Sequence, residues 1–399
     1  MNVRIEPSAP CGAVAAPPSK SMAHRLLLCA GQANGSQTVH GVAPSEDILA
    51  TMDCLRALGV TCVLRGGDAI LTGYTLHCGA EGAVLPCRES GSTLRFFLPL
   101  CLFGPPVTLT GSKRLLARPL LDVYRELCEK QGIRFEKGET SVLVQGSLSA
   151  GDFLLPGDAS SQFISGLLFA LPLLSGDSVI RLRPPVESRS YIDMTMDALR
   201  TFGVETRWLD RETIAVPGRQ VYAFRPDMTV EGDWSNAAPF LALGLPVTGL
   251  RADSLQGDRV CAQYFEELRQ GTATLDLSDC PDLGPVLMAY AAMHRGGTFT
   301  GTRRLRMKES DRGWAMYAEL QKFGVGMRIE ENAITVGCGL HAPSEALEGH
   351  NDHRIVMALS VLCAQTGGTI RGAEAVRKSF PDFFEKLQRA GVRLTADRE

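Results

Sequence analysis

The stretch CLRALGVTCVL at residues 54–64 reads as the end of an amphipathic helix, a glycine stop and a short strand, and it recurs. Near-copies are ELCEKQGIRFE (126–136), ALRTFGVETRW (198–208), ELQKFGVGMRI (319–329) and KLQRAGVRLTA (386–396), with a weaker one, ELRQGTATLDL, at 267–277. Self-similarity of this kind is the mark of a repeated structural unit. The leucine spacing puts apolar side chains on one helical face, and the glycine that follows (Gly59, Gly132, Gly203, Gly271, Gly324, Gly391) is the expected left-handed terminator.

Each copy has a companion built from a small or polar start, an apolar run of helical length, a Gly or Pro turn and a β-rich segment. The companions begin at SKSMAHR (19–25), SGSTLR (90–95), ASSQF (159–163), DWSNAAP (233–239), PDLGPV (281–286) and NDHRIV (351–356). These runs are apolar on every side and are predicted to be buried, whereas the LxxLGV helices keep a polar face and belong outside. Six units, three to a domain, predict two similar α/β domains with buried helices wrapped by sheet. The third unit ends near Arg225, so the chain is expected to cross near Met228. The opening strand NVRIEP completes the second domain, giving domains 19–228 and 1–18 with 229–399.

The chain has 399 residues, 45% of them hydrophobic and 21% charged, the profile of a globular protein large enough for two cores. A formal charge of −3 provides no bulk positive field for nucleic acid or an anionic membrane, so any anion site must be local. No apolar run approaches the ~20 residues that cross a bilayer, and the start lacks a signal-peptide core, which points to a cytoplasmic protein. Twelve scattered cysteines, several inside apolar runs such as Cys29, Cys101 and Cys363, read as buried reduced thiols. CxxC, HExxH, Walker A and GxGxxG patterns do not occur, so structural zinc, zincin, P-loop and dinucleotide readings lose their support.

Helix N-termini attract anions, and basic residues gather at or near these starts: Lys20 and Arg25, Arg95, and Arg354. PSKSMAHR groups Lys20, Ser21 and Arg25. Gly91, Ser92 and Thr93 make a small-residue entry next to Arg95. Ser160, Ser161 and Gln162 are short hydrogen-bonding groups that simple capping would also explain. RMKESDR packs Lys308, Glu309, Asp311 and Arg312 together, and its neutral interpretation is an exposed ion-pair cluster. Asp282 in PDLGP stands where an N-cap could be its whole role. Asp352, His353 and Arg354 lie in NDHR, and Lys378 precedes a helix opened by Pro381. An array of cations at equivalent places of a repeat, in a net acidic chain, is not what random surface charge produces.

In this order PSKSMAHR, SGSTLR, ARP, SSQF, SRSYID, MKESDR, NDHR and KSFPDFF resemble the 5-enolpyruvylshikimate-3-phosphate synthase family, from Lys20 to Phe384. The resemblance implies two inside-out α/β barrel domains closing on ligands at a hinge. It also implies transfer of the enolpyruvyl group of phosphoenolpyruvate to the 5-hydroxyl of shikimate 3-phosphate, with release of phosphate, by a monomer acting without cofactor or metal. Shikimate 3-phosphate would be held by Lys20, Ser21, Arg25, Ser160, Ser161, Gln162, Ser188, Tyr191, Asp282 and Lys308. Phosphoenolpyruvate would be held by Lys20, Gly91, Arg118, Gln162, Arg312, Arg354 and Lys378. Asp282 would serve the hydroxyl proton, Glu309 the methylene proton and Lys20 the leaving phosphate, residue types that suit this chemistry.

One motif departs from the family. Where many members read Asn-Ala-Gly-Thr-Ala-Met-Arg-Pro, this chain has Glu89-Ser90-Gly91-Ser92-Thr93-Leu94-Arg95-Phe96. Transfer to a sugar nucleotide is disfavoured because that relative's Lys-Asn is here Lys20-Ser21. A silent anion-binding module would have no use for Asp282 and Glu309.

Overall fold

A computed structural model describes residues 1–73, 82–117, 121–158 and 160–397. The chain divides into two compact units, residues 18–231 and residues 1–17 with 232–399. Each has its own apolar core.

The described strands form five four-stranded sheets and one pair, and all five share one pattern: two parallel strands, then two antiparallel additions. In residues 18–231 these are Val84–Pro86, Phe103–Thr110, Ser141–Ser147 and Arg134–Lys137; Asp152–Pro156, Ser178–Arg183, Thr213–Val216 and Arg207–Trp208; and Asp227–Thr229, Gly35–His40, Asp68–Gly73 and Thr61–Arg65. The other unit repeats it with Ala273–Asp276, Gly297–Thr300, Ala333–Val336 and Met327–Ile329, and with Leu347–Glu348, Gly368–Arg371, Asn2–Ile5 and Leu394–Asp397. Its third sheet is the pair Val14–Ala15 and Val247–Thr248.

Parallel neighbours need a crossover, and in four of the sheets an apolar helix provides it; the pairs Asp227–Thr229 with Gly35–His40 and Val14–Ala15 with Val247–Thr248 instead join strands from distant parts of the chain. We label the apolar helices α1 (Lys20–Gln32), α2 (Gly91–Leu100), α3 (Ser161–Ala170), α4 (Trp234–Ala242), α5 (Gly284–Met293) and α6 (His353–Thr366). They are buried almost throughout, as their all-round hydrophobicity requires. The polar-faced helices Glu46–Ala57, Asp122–Lys130, Arg189–Thr201, Cys261–Gln270, Arg312–Lys322 and Phe383–Arg389 bury only one side. Five of the six repeat glycines have positive φ, but Gly271 of the weak copy is extended at −178°, so its helix ends without the left-handed turn. Pro381 likewise does not open the last helix, which begins two residues later at Phe383.

Every described cysteine is free, and burial pushes several of the buried thiols up, Cys261 and Cys363 to about 12. No helix among the described residues is long and apolar enough to cross a membrane.

Helices α2 and α3 pack tightly, because Gly166 leaves room for the Arg95 carbonyl and the Tyr124 hydroxyl. That hydroxyl lies 2.9 Å from Arg95 O and 3.0 Å from Phe163 O, tying both helices to Asp122–Lys130. A Cβ at Gly166 would overlap both oxygens. Gly166→Ala is therefore expected to destabilise the protein by about 1–3 kcal/mol, the usual cost of overpacking a core. Urea unfolding checks this, and an unchanged midpoint would contradict it.

Candidate functional site

Five of the six buried helices start on a side-chain cap: Ser19 for α1, Ser90 for α2, Ser160 for α3, Asp233 for α4 and Asp352 for α6. The exception is α5, whose start at Leu283 has no side-chain cap bond. Asp282 thus does not cap its helix, and the capping-only reading falls.

Asp282 instead joins a compact group of ions. Arg312 is 1% exposed and donates in three directions: Nη1 to Asp282 Oδ1 at 2.8 Å, Nη2 to Glu309 Oε2 at 2.8 Å and Nε to Asp352 Oδ2 at 2.9 Å. Lys308 Nζ lies 2.9 Å from Asp282 Oδ1, and Arg354 Nη2 is 3.8 Å from Asp282 Oδ2. Three cations thus meet three carboxylates. The exposed-cluster interpretation of RMKESDR is corrected, because Arg312 points inward from the first turn of its helix. Burial raises the Asp282 carboxyl, but Lys308, then Arg312 and Arg354, outweigh it and hold it well below the usual carboxylate range. Lys308 is lowered by burial against the pull of Asp282.

The surroundings fix these groups. Asp352 is fully buried, accepts Ser310 Oγ at 3.0 Å and caps Arg354 N at 2.9 Å. Arg354 Nη1 donates to Asn236 Oδ1 at 2.8 Å, and Asn236 Nδ2 donates to Ser379 Oγ at 3.1 Å. Buried Asp258 is pushed up to about 7 by burial and by Asp282, with Arg354 opposing. Two successive left-handed residues, His350 and Asn351, turn the chain sharply ahead of Asp352, and the Asn351 carbonyl accepts Lys378 Nζ at 2.9 Å.

In residues 18–231 the second group forms around α1, α2 and α3. Lys20 opens α1, a position unfavourable for a cation unless an anion is near. Asp47, in the first turn of Glu46–Ala57, supplies it at 2.7 Å. Arg95 Nη1 donates to Gln162 Oε1, and Gln162 Nε2 donates to Ser92 Oγ at 2.8 Å, so the starts of α2 and α3 are joined. Arg25 is buried, its Nε on Thr195 Oγ1 at 2.8 Å, Nη1 on Ser21 O at 2.7 Å and Nη2 on Tyr191 O at 2.8 Å; burial lowers its pKa to about 10. Ser188 is buried with φ of 53° ahead of Arg189–Thr201, and Ser161 is buried at the start of α3. Arg118 lies outside the described residues.

The candidates therefore fall in two groups: Lys20, Ser21, Arg25, Gly91, Ser160, Ser161, Gln162, Ser188 and Tyr191 in one unit, and Asp282, Lys308, Glu309, Arg312, Arg354 and Lys378 in the other. Several partners had no role in the sequence reading. Asp47 carries no signal, since carboxylates are ordinary in a helical first turn. Asp352 is picked out with NDHR but given no role, and Asn236 could have been found, because it occupies a helix start like those where the other candidates sit.

Cations and caps at helix starts, with carboxylates held among them, define an α/β enzyme for anionic substrates and proton transfer. A family model described as EPSP synthase (3-phosphoshikimate 1-carboxyvinyltransferase) matches residues 6–387. A relative of that name from Clostridium kluyveri is 38% identical over 98% of this chain and 97% of its own, and one from Clostridium novyi is 35% identical over 98% and 97%. Among solved structures, EPSP synthase from Acinetobacter baumannii aligns with a TM-score of 0.79 at 23% identity, covering 99% of this chain and all of that one. The enolpyruvyl transferase NikO from Streptomyces tendae aligns at 0.76 and 13%, covering 99% and 98%. The chain belongs to the EPSP synthase family.

Removing one partner of a buried ion group leaves uncompensated charge. Arg312→Gln is expected to cost about 3–5 kcal/mol at pH 7. The sign with pH follows from Asp282. Its depressed folded pKa gives stability that is present above the unfolded value, about 4, and is lost as pH falls through the folded one. Without Arg312 the folded pKa rises, so the acid loss of stability moves to higher pH. Urea unfolding between pH 7 and 3 tests both, and matching curves for the two proteins would contradict them.

Proposed function

We propose that the protein moves the enolpyruvyl group of phosphoenolpyruvate to the 5-hydroxyl of shikimate 3-phosphate and releases phosphate, as an aromatic amino-acid biosynthetic enzyme. The observation that carries this reading is the Arg312 group. It holds Asp282 and Glu309, two carboxylates suited to proton transfer, on one buried cation among further cations suited to anions. Membership of the family supplies the reaction.

The balance of the reaction assigns the parts. The 5-hydroxyl oxygen bonds to C2 of the donor while C3 gains a proton; then C3 loses a proton and the C2–phosphate bond breaks. Asp282 takes the hydroxyl proton, Glu309 gives and later removes the C3 proton, and Lys20 neutralises the leaving phosphate. Asp282 is a weak base while Lys308 and Arg312 hold it. Anionic groups of the substrates compete for those cations, and each cation drawn away raises the carboxylate's basicity at the moment it is needed.

Shikimate 3-phosphate is assigned to Lys20, Ser21, Arg25, Ser160, Ser161, Gln162, Ser188, Tyr191, Asp282 and Lys308. Phosphoenolpyruvate is assigned to Lys20, Gly91, Arg118, Gln162, Arg312, Arg354 and Lys378. The finer architecture belongs to the same reading: six repeats in two inside-out α/β barrels, supported by the pattern that five sheets share. So does a monomer acting in the cytoplasm. Phosphate release from phosphoenolpyruvate, assayed with shikimate 3-phosphate and separately with UDP-N-acetylglucosamine, tests the reading. Release with the sugar nucleotide alone would overturn it.

Glu309→Gln and Asp282→Asn are each expected to lower kcat by about 10²–10⁴ with substrate binding largely kept, since proton transfer acts mainly in the transition state. Unchanged turnover in both would remove the assignment. Gly91→Ala is expected to raise the inhibition constant of the bulkier donor analogue glyphosate by a larger factor than the KM for phosphoenolpyruvate. A Cβ there would come within 3.0 Å of Arg95 Nη1, crowding the helix start. Steady-state inhibition kinetics decide it, and equal factors would place Gly91 away from the donor.

A further inference from the structure

Behind the starts of α1 and α2 runs a chain of buried hydroxyls that the reading above does not use. His24, one turn into α1 from Lys20, has Nδ1 2.8 Å from Thr51 Oγ1. Thr51 Oγ1 is 2.8 Å from Thr93 Oγ1, and Thr93 Oγ1 donates to Ser90 Oγ at 2.7 Å, the cap of α2. All four side chains are at most 2% exposed. Thr51 sits on Glu46–Ala57, whose Asp47 holds Lys20, and the Asp47 carbonyl lies 3.4 Å from Thr93 Oγ1.

The direction of the chain follows from counting protons. Each hydroxyl has one to give. With Thr93 donating to Ser90, Thr51 donates to Thr93 and His24 Nδ1–H donates to Thr51. The opposite tautomer would leave an N–H on Nε2, which is buried without a hydrogen-bond partner among the described residues. Orphaned buried N–H groups are rarer than under-satisfied acceptors, so the Nδ1–H form is the one that fits. Burial, then Lys20 and Arg25, hold His24 well below its ordinary pKa, so the ring is neutral and can act as a single directional donor.

We propose that the His24–Thr51–Thr93–Ser90 chain is a positioning device for enolpyruvyl transfer, tying the Gly91 start of α2 and the Lys20 start of α1 to the intermediary helix Glu46–Ala57. Thr51 and Thr93 then set donor binding without touching the donor. The proposal rests on the reading that Lys20 and Gly91 bind phosphoenolpyruvate. Loss of either threonine hydroxyl leaves two buried partners unmatched, and the helix start can move. Small displacements of a positioning group are costly: about 1 Å can lose 10²-fold.

The test uses the full chain and steady-state kinetics with phosphoenolpyruvate and shikimate 3-phosphate. Thr51→Val and Thr93→Val are each expected to raise the KM for phosphoenolpyruvate about tenfold, with a smaller change in kcat, for a displacement of a few tenths of an ångström. Thr51→Ser and Thr93→Ser, which keep the hydroxyl, should stay within about twofold of the unmodified protein by the same principle. Because both valines cut one chain, the double variant should be no worse than the poorer single one. Should a valine variant fail to fold, His24→Leu breaks the chain at its head and carries the same expectation. An unchanged KM in folded variants overturns the proposal, as do valine effects that multiply or serine variants as impaired as the valines. Absence of transfer by the unmodified protein overturns this proposal together with the reading it rests on.

Discussion

Arg312 is the constraint on which the chemistry of residues 232–399 depends. Its guanidinium is almost wholly out of water and has donors in three directions, each ending on a carboxylate from a different part of the chain. A buried charge of this kind is tolerable only when it is paired and its hydrogen bonds are met. Asp282 in the turn before α5, Glu309 ahead of Arg312 and Asp352 at the cap of α6 must therefore arrive together. One arginine correlates three chain segments, and two of its partners are the carboxylates to which proton transfer is assigned.

The two units hold their functional groups by different means. Around Arg312 the bonds are ionic, and the relevant quantity is which cation each carboxylate keeps. Around α1, α2 and α3 the described bonds run mostly to neutral acceptors: Gln162 bridges Arg95 and Ser92, Arg25 donates to a hydroxyl and two carbonyls, and threonine and serine hydroxyls run between helices. Lys20–Asp47 is an ion pair there. Neutral networks fix geometry with little response to an incoming charge, whereas ion groups rearrange when an anion competes for them. Under the proposed assignment, one unit shapes substrate and the other moves protons, and the two kinds of contact suit those different needs.

Much of this was legible in the chain itself. The LxxLGV repeats, the glycines after them and the all-round apolar runs determined which helices are buried and which keep a polar face, because those properties are local and periodic. The ordered motifs from Lys20 to Phe384 carried the family. What no local pattern could state is pairing between distant segments. That Asp282 does not cap α5, that MKESDR turns an arginine inward, that Asp47 neutralises Lys20 and that His24 reaches Ser90 through two threonines are all contacts across dozens of residues. Only tertiary packing decides them, since the cost of an unmatched buried charge or hydroxyl exists only after burial has removed the water that would otherwise satisfy it.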